Sequence, residues 1–271
     1  MKIRHHARQR QQQASRLRPA LVHFKLAAAS AQGRRHEAQG LPCQDAWARG
    51  SLGPLAAMVV CDGAGSAAHA AQGAQLAAQT TLQLLLQQGP ALLSMTDEQA
   101  KATVLGCVHA ALAGAAQRQG LPLRELACTL LLAVSDGRRM LFGQLGDGRV
   151  GVCSSSAGWH VLDTGTRGEF ANETVFVTSG GALAHFHLVR ATATTVTACV
   201  LMTDGAEQAL LHRATGTLAP AVDTVARWVW AHGTDRVEAA LQQQLQTLLR
   251  TKTFDDLTLA CMSRRPPGIR P

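Results

Sequence analysis

Four times in this chain an apolar run meets an aspartate at a turn. Val59-Val60-Cys61 runs into Asp62-Gly63, Leu201-Met202-Thr203 into Asp204-Gly205, and Gln144-Leu145 into Gly146-Asp147-Gly148, while Asp255-Asp256 stands directly before Leu257-Thr258-Leu259. A carboxylate at a strand end is held by a rigid element yet still reaches solvent. Several such groups brought together repel one another unless a cation lies between them. Carboxylate and carbonyl oxygens suit hard or intermediate cations such as Mg²⁺ and Mn²⁺. A Gly after the Asp lets the backbone turn sharply and leaves its carbonyl open as a further ligand. A single Asp-Gly is ordinarily just a turn, and Asp136-Gly137 is read as one, closing a hairpin. Four acidic strand ends among only 18 acidic residues leave two readings open on pattern alone, a metal site and a set of turns.

The runs between these points arrange into blocks. Leu21 to Ser30 reads as a first strand, followed by a polar loop from Gln32 to Asp45, and Leu55 to Cys61 reads as a buried strand. Ala67 to Gln88 reads as a helix ended by Gly89-Pro90; a second helix spans Asp97 to Gln119, with Thr96 as N-cap and Gly120 as stop. Strands are then expected at Cys128–Val134, Met140–Leu145, Val150–Cys153, Trp159–Leu162, Glu173–Thr178 and Thr195–Met202. Helices at Pro220–Ala231 and Thr234–Leu249 precede a last strand, Leu257–Met262. Strands and helices cluster instead of alternating, which argues for an α+β arrangement over a doubly wound sheet.

The formal charge of +8 misdescribes the body of the chain. Residues 1–25 carry seven basic groups and no acid, and residues 264–271 carry three more, so the remainder holds 16 basic against 18 acidic residues, a net of −2. Residues 1–20 and 264–271 are accordingly read as basic tails flanking one domain over 21–263. A nucleic-acid binder acting through the Arg-rich tail is a competing class, but aromatic residues make up only 4% of the chain and no recognition module is visible. The seven Cys include no CxxC pair, and several sit in apolar runs, which fits reduced thiols in a cytoplasmic protein. No run approaches 18 apolar residues, and no apolar segment follows the basic N-terminus, so neither a membrane span nor a signal peptide is expected.

The acidic turns also resemble a known family. Gly40-Leu41-Pro42-Cys43-Gln44-Asp45-Ala46 and Val60-Cys61-Asp62-Gly63-Ala64-Gly65-Ser66-Ala67 look like the first two acidic motifs of PP2C-type (PPM) phosphatases. Gln144-Leu145-Gly146-Asp147-Gly148-Arg149, Leu201-Met202-Thr203-Asp204-Gly205 and Asp255-Asp256-Leu257-Thr258-Leu259 resemble later motifs in order, and Gly168 to Thr174 is similar to a segment of a bacterial branch. The resemblance spans about residues 24 to 262. It implies a four-layer α-β-β-α sandwich of two antiparallel sheets flanked by helices. It implies a serine/threonine protein phosphatase using two Mn²⁺ or Mg²⁺ ions, with a weaker third, to activate a water. Asp62 would bridge both metals, the Gly63 carbonyl would complete the second site, Asp204 and Asp255 would hold the first, and Asp147 with Asp204 the third. Asp45 would orient a metal-bound water, and Thr129 would be structural. The implied partner is a phosphorylated protein, a bacterial serine/threonine kinase or its target.

The sequence departs from that pattern at three places. The phosphate-binding Arg of the first motif is displaced: His36 is the positional match, and Arg34 or Arg35 is the alternative cation. Gln44 stands where many members carry Glu, and a neutral amide oxygen is the weaker ligand. Ala64 stands where some members carry a His proposed as general acid. The displaced Arg and Gln44 motivate a second reading, a catalytically weak or inactive binding or regulatory module on the same fold.

Overall fold

The computed structural model describes residues 21–162 and 174–265. Its strands are β1 (Lys25–Ala31), β2 (Asp45–Leu52), β3 (Leu55–Asp62), β4 (Leu130–Ser135), β5 (Arg139–Leu145), β6 (Arg149–Ser154), β7 (Gly158–Val161), β8 (His187–Thr192), β9 (Val196–Met202), β10 (Leu211–His212), β11 (Thr217–Leu218) and β12 (Leu257–Ser263). Its helices are α1 (Arg34–Gln39), α2 (Ala70–Leu92), α3 (Asp97–Gln119), α4 (Ala182–His185), α5 (Asp204–Leu210), α6 (Pro220–Ala231) and α7 (Thr234–Thr247). One antiparallel sheet has the order β1-β12-β9-β6-β7 and the other β2-β3-β4-β5-β8. The strands β10 and β11 form a small separate ribbon.

Strand phase explains the layering. In β3 every residue from Leu55 to Cys61 is buried. Ala57, Val59 and Cys61 face the α2–α3 layer, packing with Ala74, Leu85 and Val104. Ala56, Met58 and Val60 face the other sheet, packing with Cys199, Leu201, Ala260 and Met262. In β12, Leu259 and Cys261 meet Val225, Val229, Leu241 and Leu245 of α6 and α7, while Ala260 and Met262 point inward. A strand covered on both faces has no reason to alternate polar with apolar, so it reads as one continuous apolar run. The result is the expected four-layer sandwich, helices outside and two sheets within. Among the described residues, no helix is long and apolar enough to cross a membrane.

Several elements differ from the sequence expectation. The segment read as a loop between Gln32 and Asp45 contains α1, and two strands not among those expected, β2 paired with β3 and β8 paired with β5, form the opposite edges of one sheet. Helix α2 runs through Gly89-Pro90 to Leu92, because Gly89 and Leu92 are buried against the body; a Cβ on Gly89 would lie 2.9 Å from Leu55 Cδ2. Of the strand expected at Glu173–Thr178, Glu173 lies outside the described residues, and 174–178 form no strand. Instead, Val177 N–H donates to the Cys128 carbonyl at 2.9 Å. Asp204 starts a helix, α5, where only a turn was read. Arg264 is fixed to the sheet: its backbone N–H donates to the Thr197 carbonyl and its guanidinium to those of Val196 and Thr194.

Candidate active site

The site begins with a strand register. In the β2–β3 pair Asp45 stands directly opposite Asp62. Both lie in phase with the residues that face the opposing sheet, Trp47 on β2 and Met58 and Val60 on β3. Like charges set opposite each other across a ladder are destabilising, so this pairing needs compensation. Thr129 holds Asp62 through both sides of the backbone. Its Oγ1 accepts from Asp62 N–H at 2.9 Å, and its own N–H donates to the Asp62 carbonyl at 2.8 Å. Thr129, which also lines the cleft, thus fixes the backbone on both sides of Asp62.

The second sheet brings the other acids. Asp204 opens α5 at the end of β9, and Asp255 lies just ahead of β12, the neighbour of β9. The two loops touch closely at Gly205, where a Cβ would sit 2.1 Å from the Asp256 carbonyl oxygen. Only glycine fits there. The sheets are then stitched at this end by hydroxyls. Thr203 Oγ1 and Thr258 Oγ1 each donate to Asp45 Oδ2 at 2.8 Å, and Thr258 N–H donates to Thr203 Oγ1 at 2.9 Å. Asp147, in the β5–β6 turn, accepts from Thr174 Oγ1 at 2.8 Å. The rest of the Gly168–Thr174 motif lies outside the described residues.

These elements enclose a cleft of about 150 Å³ lined by Arg35, His36, Gln44, Asp62, Gly63, Ala64, Thr129, Asp147, Thr174, Asp204 and Asp255, among others. Its electrostatics are those of crowded carboxylates. Burial, then the charges of Asp45, Asp204, Asp147 and Asp255, push the Asp62 carboxyl well above its ordinary value. Burial, then Asp255 and Asp147, raise Asp204 to about 6, even though Asp62 shares a hydrogen bond with it. Two carboxylates joined in this way need a proton or a cation between them. Burial, then Asp256, raise Asp45 to about 8 against the hydroxyls that favour its charged form. Among the described residues, two buried oxygens here, Gln44 Oε1 and Asp45 Oδ1, have no hydrogen-bond partner. An all-oxygen donor set with excess negative charge and unpartnered oxygens fits a divalent cation of the Mg²⁺ or Mn²⁺ type.

The three candidate phosphate groups separate clearly. Arg34 turns away from the cleft, donating to the Thr251 and Thr253 carbonyls and stacking 4.3 Å from the Phe254 ring centre. Arg35 lines the cleft and donates to both Asp255 oxygens, at 3.1 and 3.0 Å. His36 lines it as well, with Nδ1 2.8 Å from Asp256 Oδ2. Sequence reasoning missed the support groups Thr203, Thr258 and Asp256. The only available signal was a hydroxyl next to an acidic turn at two strand ends.

Fold and site together fit a class: a hydrolase of phosphate esters built at one end of a double-sheet sandwich, where acidic turns from both sheets converge on one cleft. Comparison with known proteins agrees. The family model for protein phosphatase 2C matches residues 32–250. Serine/threonine-protein phosphatase 3 of Escherichia coli (strain K12) is 33% identical over 177 residues, covering 62% of this chain and 68% of that protein. Among solved structures, the catalytic domain of the serine/threonine protein phosphatase PstP, in complex with two manganese ions, has a TM-score of 0.61 at 17% identity, covering 90% of this chain and 99% of that one. Stp1 from Staphylococcus aureus has a TM-score of 0.59 at 14% identity, covering 92% and 99%. The chain therefore belongs to the protein phosphatase 2C family, and its activity is that of a metal-dependent serine/threonine protein phosphatase.

Proposed function

We propose that Asp62, Asp204 and Asp255, with the Gly63 carbonyl, would hold two divalent cations in the cleft, and that Asp147 with Asp204 would supply a weaker third position. The carrying observation is that Asp62, Asp147, Asp204 and Asp255 line one cleft, where burial and neighbouring carboxylates raise both the Asp62 and the Asp204 carboxyls. Bound there, such cations supply an acidified water and counter-charge for the phosphoryl oxygens. The chain's own groups do the rest. Asp45, fixed by Thr203 and Thr258 through Oδ2, keeps Oδ1 free to orient that water. Arg35 and His36 face the phosphate oxygens; Arg35 exchanges its Asp255 partner for the substrate. Ala64 offers no acid to the departing serine or threonine oxygen.

The substrates are phosphoproteins, and the partner we infer is a bacterial serine/threonine kinase or one of its targets. Seven unpaired thiols support a cytoplasmic setting. We read residues 21–263 as the phosphatase domain, between basic extensions at 1–20 and 264–271 of which Arg264 is held against the sheet. Asp62→Asn and Asp204→Asn are expected to reduce hydrolysis of p-nitrophenyl phosphate and of a phosphothreonine peptide to background while the circular dichroism spectrum is kept. Undiminished turnover in either variant would sink the reading; no Mn²⁺ uptake by calorimetry at millimolar concentration would sink it too, and would favour the binding-module alternative.

A further inference from the structure

Asp256 is the most deeply buried acid near the cleft, 2% exposed, and the metal-site reading gives it no task. It is nevertheless saturated. Its Oδ1 accepts from Gly33 N–H at 2.6 Å, and its Oδ2 accepts from Gln44 N–H at 2.6 Å and meets His36 Nδ1 at 2.8 Å. With both Oδ2 lone pairs engaged, the imidazole Nδ1 must be the donor. That fixes the ring. His36 is itself only 5% exposed, lines the cleft, and has no partner at Nε2 among the described residues. The edge of the ring opposite Asp256 is the one left to the cleft.

We propose that Asp256 is a positioning residue for phosphate recognition: it holds the His36 ring by Nδ1 so that Nε2 addresses a phosphoryl oxygen, taking over the task that a displaced arginine leaves open. A His on a six-residue helix with no side-chain cap would otherwise sample several rotamers. The same carboxylate anchors both ends of the loop that carries the ring, through Gly33 and Gln44. Ring and loop are therefore set by one group at the head of β12, the neighbour of β1 from which the loop departs. The buried carboxylate–imidazole pair acts here on an organic phosphate instead of on a metal, but the logic of orienting a His through its far nitrogen is the same. The inference rests on the proposed phosphate-facing role of His36 and not on the assignment of cation ligands.

The test combines a double-mutant cycle with a spectroscopic readout. In metal-free protein carrying ¹⁵N-labelled histidine, His36 is expected to give a downfield Nδ1–H resonance that disappears in Asp256→Asn. With saturating Mn²⁺, Asp256→Asn and His36→Ala are each expected to raise KM for p-nitrophenyl phosphate and the inhibition constant of inorganic phosphate about tenfold, with a smaller effect on kcat. Adding Asp256→Asn to His36→Ala should then change neither constant further. Full additivity, with the double variant another tenfold weaker, would make Asp256 a structural anchor only and overturn the proposal. Unchanged constants in His36→Ala would overturn it too, while leaving the cation site intact. Failure of the cation reading would instead appear as turnover in Asp62→Asn, so the two failures are distinguishable.

Discussion

At the scale of single residues, Thr129 illustrates how the site spends polar groups on geometry. It accepts from the Asp62 N–H and donates to the Asp62 carbonyl, holding the peptide units on both sides of that residue. Thr129→Val keeps the volume but leaves the buried Asp62 N–H without an acceptor, at a cost of about 1–3 kcal/mol. Urea unfolding should register that loss, and Thr129→Ser should recover most of it. The Asp-Gly pairs at 62 and 204 were legible because each closes a long apolar run with a residue type that strands reject. The division of labour between Asp255 and Asp256 was not. Neighbours in extended chain point opposite ways, one into the cleft and one into a buried nest of N–H groups, and the dipeptide itself carries no mark of phase. Thr203 and Thr258 were hidden for a related reason: a hydroxyl at a strand end is equally at home in solvent.

Among the secondary-structure elements, those with strong local codes stood out in the sequence. Thr96 caps α3 with a reciprocal box, accepting from Gln99 N–H while the Gln99 side chain accepts from Thr96 N–H, and Gly120 ends the helix in left-handed geometry at φ 66. Thr96→Ala should cost about 1 kcal/mol, measurable as a lower urea midpoint with an unchanged slope. Leu85, fully buried where α2 meets its sheet, should cost about 2–5 kcal/mol as Leu85→Ala. The overlooked elements have weak local codes. Helix α1 is six residues long, too short to show a period, and is held by contacts from afar, such as Arg35 N–H to the Phe254 carbonyl. Strand β2 buries Ala46 and Ala48 on its core face, and alanine carries little strand preference. Gly89-Pro90 misled in the other direction, because burial of the last turn of α2 outweighs a local stop signal.

For the whole molecule, stability and cation binding are linked through protons. Asp45 moves from 3.8 to about 8 on folding, and Asp204 to about 6. Without metal, the folded state therefore retains protons that the unfolded chain has released. Its stability is greatest below about pH 4 with respect to these groups and declines as pH rises from about 4 to 8. In chelator, the melting temperature should fall between about pH 5 and pH 8, and saturating Mn²⁺ should flatten or reverse that slope. A chelated protein whose melting temperature climbs over the same range would contradict the crowding of its carboxylates. The two large sheets share no hydrogen-bonded strand; one supplies Asp45 and Asp62, the other leads into Asp204 and Asp255. What separates the two pairs is the filling between them, Met58, Phe142 and Met262 included. Those side chains work as shims: trimming one re-gauges the distance across which ions and phosphate must fit, so the tolerance of the catalyst is machined in hydrocarbon that never meets its reactants.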